Sequence, residues 1–145
     1  MAHRRKEIRD KIRALLLNNT SAGANVFTNR SAALFTSQLP AIAIYTGDED
    51  SEFLNPPENR LKRTLQVFIE FAKLEVTEGA IEDEIDALCL EIENIIKPKN
   101  ELDRLYGNIV QSVILKKSEF GTFEKNSDIL GTAKLSYDFE YDSDY

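Results

Sequence analysis

The sequence predicts an α+β fold of two layers, in which a mixed, mostly antiparallel sheet of about 4–5 strands carries two helices packed on one face. Three observations lead there. Two segments space their apolar residues at helical intervals, two others alternate apolar with polar residues, and a short unbroken apolar run follows a proline. Helices with one apolar stripe each and a sheet with one apolar face cover each other by stacking. A chain of 145 residues is the size of one domain, so residues 1–145 are read as a single unit.

From Arg4 to Leu17, the residues Ile8, Ile12, Leu15 and Leu16 fall at i, i+4, i+7 and i+8, which predicts a first amphipathic helix. Its polar side holds Arg4, Arg5, Lys6, Arg9, Lys11 and Arg13 against Glu7 and Asp10, a local net charge of +4 in a chain of net −7. Glu7 with Lys11, and Asp10 with Arg13, have the spacing of helical ion pairs. Asn18 to Ala24 is small and polar, and Gly23 can take positive φ, so the helix ends there. Val26-Phe27 is a short apolar pair before a turn at Thr28 to Ser31. Ala41 to Tyr45, introduced by Pro40, reads as a central strand buried on both faces. Gly47 to Arg60, rich in carboxylates and containing Pro56-Pro57, reads as an exposed loop.

The clearest pattern follows. Leu61, Arg63, Leu65, Val67, Ile69 and Phe71 alternate with Lys62, Thr64, Gln66, Phe68, Glu70 and Ala72, which predicts a long strand with one wet face. Phe68 breaks the polar row, so that face is partly covered or used for contact. Thr77 can cap a second helix over Glu78 to Lys97, whose first turn carries Glu78, Glu82 and Asp83 and which Pro98 ends. Asn108 to Ser118 and Gly131 to Tyr141 predict a closing hairpin, with Glu119 to Asp128 as the link.

Composition narrows the function classes. With 18 Lys and Arg against 25 Asp and Glu, and a pI near 4.8, most of the surface would repel nucleic acid. One cysteine (Cys89) and one histidine (His3) leave no disulfide framework, Cys/His zinc site or histidine-based triad. Cys89 falls beside the apolar stripe of the second helix among acidic residues, which suits a buried, unreactive thiol. No phosphate-cradling glycine motif occurs, and no apolar stretch approaches the roughly 18 residues of a membrane span. The reading is a soluble, intracellular, non-enzymatic protein with no metal or cofactor. Charge is segregated: Glu75 to Asp103 holds ten acids and two lysines, a net of −8, opposite in sign to the first helix.

At Val26 to Phe71 the residues become more particular. Val26-Phe27-Thr28-Asn29-Arg30, Leu34-Phe35, Leu39-Pro40-Ala41-Ile42-Ala43-Ile44-Tyr45, an acidic segment and Leu65-Gln66-Val67-Phe68-Ile69-Glu70-Phe71 resemble the tail terminator family of long-tailed phages, the lambda minor tail protein U type. Leu135-Ser136-Tyr137-Asp138-Phe139-Glu140-Tyr141 is similar to that family's last strand. The extra basic residues at the start and Asn55-Pro56-Pro57 depart from the pattern.

The resemblance implies a structural subunit that forms a six-membered ring on the finished tail tube. The ring stops tube polymerisation, presents a surface to the head connector or completion protein, and lets DNA pass without specific binding. It would reside in the virion, at the head-proximal end of the tail. Within that reading, Asp48, Glu49, Asp50 and Glu52 form a mobile contact loop that orders on assembly, and Arg30 makes a fixed ion pair or a local turn contact. Phe68 marks a covered strand face, Phe120 and Phe123 sit at an exposed hairpin tip, and Arg4, Arg5 and Arg9 offer a basic surface to a partner. The rival readings are a head-side joining or tail-completion subunit, a small cation-dependent enzyme on the acidic loop, and a regulatory domain using the basic helix on nucleic acid.

Overall fold

The computed structural model describes residues 4–28, 40–53, 60–75, 78–96, 110, 112–125 and 128–144. They form, in order, α1 (Arg4–Leu16), β1 (Val26–Phe27), β2 (Ala41–Phe53), β3 (Arg60–Glu75), α2 (Glu78–Ile95), β4 (Ser112–Lys125) and β5 (Asp128–Asp144). The five strands make one mixed sheet in the order β1-β2-β3-β5-β4. β1 runs parallel to β2, and every other pair is antiparallel. The fold is α+β with an open sheet. Arg30, His3, Thr77 and Pro98 lie outside the described residues, as do the Asn55-Pro56-Pro57 segment and most of the expected turn at Thr28 to Ser31.

Both helices lie on one face of the sheet. Ile8, Ile12 and Leu16 of α1 and Ile81, Leu88 and Ile92 of α2 are buried in one cluster with Ile42, Ile44, Leu65, Val67, Ile69, Phe71, Leu135 and Phe139. The end of α1 has a local cause. Asn18 at φ 60° and Gly23 at φ 62° turn the chain out of α1, and Asn18 N–H donates to the Gly23 carbonyl at 2.8 Å. Arg13 Nε donates to the Val26 carbonyl at 2.9 Å, pinning α1 to β1. Glu91 of α2 accepts from Ser21 N–H and Oγ at 2.9 and 3.2 Å, and Lys73 Nζ of β3 pairs with Glu84. The α1 carboxylates reach back toward its start: Glu7 pairs with Arg4 at 2.8 Å and Asp10 with Lys6 at 2.7 Å. Gly131 sets how closely α2 approaches β5, because a Cβ there would overlap Ile81 and Ile85.

Two expectations are corrected. Residues 47–53 are the second half of β2, not an exposed loop. A bulge between Thr46 and Glu49 shifts the register, after which Glu49 stands opposite Leu65, Ser51 opposite Arg63 and Glu52 opposite Lys62. The strand tolerates its carboxylates because β3 presents cations across the ladder and much of the segment remains exposed to water. Likewise β4 continues to Lys125, so Glu119 to Lys125 is strand rather than a link, and pairing closes with Lys125 opposite Asp128. Phe120 and Phe123 are ladder residues opposite Ala133 and Leu130, not a hairpin tip. Glu119, Phe120 and Thr122 are all exposed, so this half of β4 lacks the apolar alternation that would mark it in the sequence.

Candidate assembly surfaces

The first surface is a polar cluster where α1 overlies the bulged end of β2. Gly47 permits the bulge: a Cβ on it would lie 2.7 Å from both Gln66 Oε1 and the Phe68 ring. Beyond the bulge the strand's parity inverts, so Glu49 turns to the helix side, where Arg63 and Tyr141 lie. Tyr141 Oη–H donates to Glu49 Oε1, and Arg63 Nη1 lies 3.8 Å from Glu49 Oε2. Arg5 and Arg9 each donate to Thr46 Oγ1 at 3.2 Å. Burial raises the Tyr141 hydroxyl's pKa, and the hydrogen bond to Glu49 adds to that, while Arg63 and Arg4 oppose it. Tyr141 therefore stays protonated at neutral pH and serves Glu49 as a fixed donor. The cluster clamps the helix to the sheet.

Four of the sequence candidates meet here: Arg4, Arg5, Arg9 and Glu49. Thr46, Arg63 and Tyr141 complete the cluster and were not singled out as site residues. Arg63 carried a signal, since it interrupts the apolar row Leu61, Leu65, Val67, Ile69 and Phe71, and a cation on a core face calls for a carboxylate nearby.

The second surface is the face of the sheet away from the helices. Tyr45 and Phe68 pack at 5.2 Å between ring centroids, Lys134 Nζ sits 4.3 Å from the Phe68 centroid, and Tyr45 Oη donates to Glu70 at 2.8 Å. Phe68 is thus covered by a cation and a second ring. Among the residues whose side chains are described, Asp50, Glu52, Glu70, Glu119, Asp138, Glu140 and Asp142 share this face by register with Lys62, Lys117 and Lys134, so it is acidic there.

Asp48, Asp50 and Glu52 are exposed and carry no ion pair among the described residues. Phe120 is 59% exposed and, with Ile81 and Ile85, lines a 340 Å³ groove between α2 and β4 rimmed by Glu82 and Asp86. Cys89 is buried, and burial followed by Glu93 pushes its thiol up to about 12. Among the described residues, no three His, Cys, Asp or Glu side chains form a group able to hold a metal ion, and no helix is long and apolar enough to cross a membrane. The fold and these surfaces define a two-layer α+β chain with one acidic sheet face and a basic helix clamped across one end. No protein-family model and no curated protein matches it.

Proposed function

We propose that this chain is a tail terminator of a long-tailed phage. It is a ring-forming structural subunit that caps the completed tail tube, stops further tube subunits from adding, and presents the surface to which the head connector binds. The observation that carries the reading is the placement of the segments resembling that family. Val26-Phe27 pairs with Ile42-Ala43, Ile42 and Ile44 with Phe71 and Ile69, and Ile69 with Leu135, so the likeness spans neighbouring strands rather than scattered fragments.

A stopper acts by shape and charge, refusing one partner while accepting another, with no bond made or broken. The acidic sheet face suits the wall of a passage for DNA, since its carboxylates repel phosphates. Six copies around the tube would place one such face from each copy toward the axis, with the helices outside.

The test is to mix the purified chain with isolated tail tubes and image them by negative stain. A six-fold ring at one tube end, and tubes that no longer elongate when tube protein is added, are the expected results. Binding to empty heads instead would assign the chain to the head side of the junction. Failure to bind either would remove the proposal.

A further inference from the structure

The two long edges of the sheet are open among the described residues, and they are unlike. Among the described residues, β2 pairs with β1 only at Ile42 and Ala43, leaving the outer edge of residues 46–53 without a neighbour, and β4 pairs only with β5. Open edges commonly pair with other chains unless something blocks them, and both edges here carry a bulge, between Thr46 and Glu49 and between Leu115 and Lys117. The bulges still leave regular stretches, residues 49–53 of β2 and 117–125 of β4, long enough for a short ladder.

Charge distinguishes the edges. Asp48, Asp50 and Glu52 stand exposed on β2 with no ion pair among the described residues. On β4, Lys116 is exposed and likewise without an ion pair among them, and beside it Lys117 pairs only with its own strand's Glu119, at 2.7 Å and largely in water. Two β2 edges brought together would oppose carboxylates alone, whereas residues 116–125 of β4 hold three lysines against Glu119 and Glu124, a net of +1. β2 against β4 is the pairing that joins edges of opposite net charge. Direction agrees with charge. Three successive antiparallel pairings make β4 run opposite to β2, so a copy rotated about an axis roughly along the strands brings its β2 antiparallel to β4.

We infer that β4 of one copy adds to the 49–53 edge of β2 in the next, continuing the sheet head to tail from subunit to subunit. A heterologous contact of this kind repeats without using itself up, and it closes when the rotation does. The inference rests on the ring reading and supplies its subunit interface. Lys116 and Lys117 face Asp50 and Glu52 across the junction, the helices stay on one side, and the acidic faces join into one wall.

The experiment is a charge swap with complementation, followed by sedimentation velocity and by imaging on tail tubes. One variant carries Asp50→Lys and Glu52→Lys; the other carries Lys116→Glu and Lys117→Glu. All four side chains are exposed or nearly so, and circular dichroism and melting serve as the check that each variant folds. Each variant alone should associate about a hundredfold more weakly than the wild type, because like charges then face each other. The equimolar mixture, in which every junction is again unlike, should recover rings of alternating copies. Wild-type rings that persist in both single variants, or that the mixture fails to restore, would overturn the edge contact while leaving the ring reading intact. A wild-type chain that forms no ring either in solution or on tube ends would sink both.

Discussion

Tyr137 and Tyr141 provide an internal control on how buried polar groups act in this chain. They lie on the same face of β5, four residues apart, and each is 1% exposed. Their hydroxyls differ: Tyr141 donates to Glu49, whereas the buried Tyr137 hydroxyl has no hydrogen-bond partner among the described residues. Tyr141→Phe removes a donor from a carboxylate whose side chain is only 12% exposed, so a loss of about 1.5–3 kcal/mol is expected, the range for a hydrogen bond to a charged group. Tyr137→Phe removes a hydroxyl that gains nothing from burial, so its effect should lie between neutral and about 1 kcal/mol stabilising. Urea unfolding at one fixed protein concentration reads the difference. A loss of 2 kcal/mol would lower Tm by about 4–8 °C in a chain of this size. If Tyr137→Phe destabilised the protein as much as Tyr141→Phe, the assignment of the two hydroxyls would be refuted.

Gly131→Ala should destabilise by about 1–3 kcal/mol, because its methyl must displace Ile81 or Ile85 and lift α2 from β5; a melting temperature equal to wild type would contradict the close approach. Gly47→Ala should disturb the bulge and the packing of Phe68, seen as a changed environment for Tyr45 and Tyr141 in near-ultraviolet circular dichroism, with retained far-ultraviolet signal. Alkaline pH should weaken the fold. The folded Cys89 thiol holds its proton to about 12, whereas the unfolded thiol loses it near its ordinary value of about 9. This contribution is present in full below pH 9 and declines by up to about 1.4 kcal/mol per pH unit between 9 and 12. Cys89→Ala should flatten that decline in urea midpoints collected from pH 8 to 11; an unchanged slope would exclude the thiol as its source.

The sequence made the local periodicities legible. The i, i+4 stripes of α1 and α2 and the alternation in β3 and β5 depend only on near neighbours, so they placed the core residues correctly. What it hid was long-range. Asp48 to Glu52 looked like a loop because carboxylates suit strands poorly, and the strand they join is held by β3 across the ladder, where Lys62 faces Glu52 and Leu61 faces Phe53. The bulge that turns Glu49 inward inverts parity at one residue, which no period can reveal. The basic residues of α1 and Glu49 were visible as separate candidates, yet their meeting depends on which end of the sheet the helix crosses. Tyr141 read as core because it continues the apolar row of β5, and only its hydroxyl partner distinguishes it from Tyr137. Lys116 and Lys117 escaped notice because two adjacent lysines acquire meaning only once they are known to lie on an open edge.

If the proposed role holds, the chain is encoded by a long-tailed phage, and the most direct test is to delete its coding sequence there and examine the lysate by electron microscopy. A terminator's absence leaves the tube free to grow, so overlong tails without capsids, beside filled but tailless heads, are the expected result. Tails of normal length joined to filled heads would contradict the account.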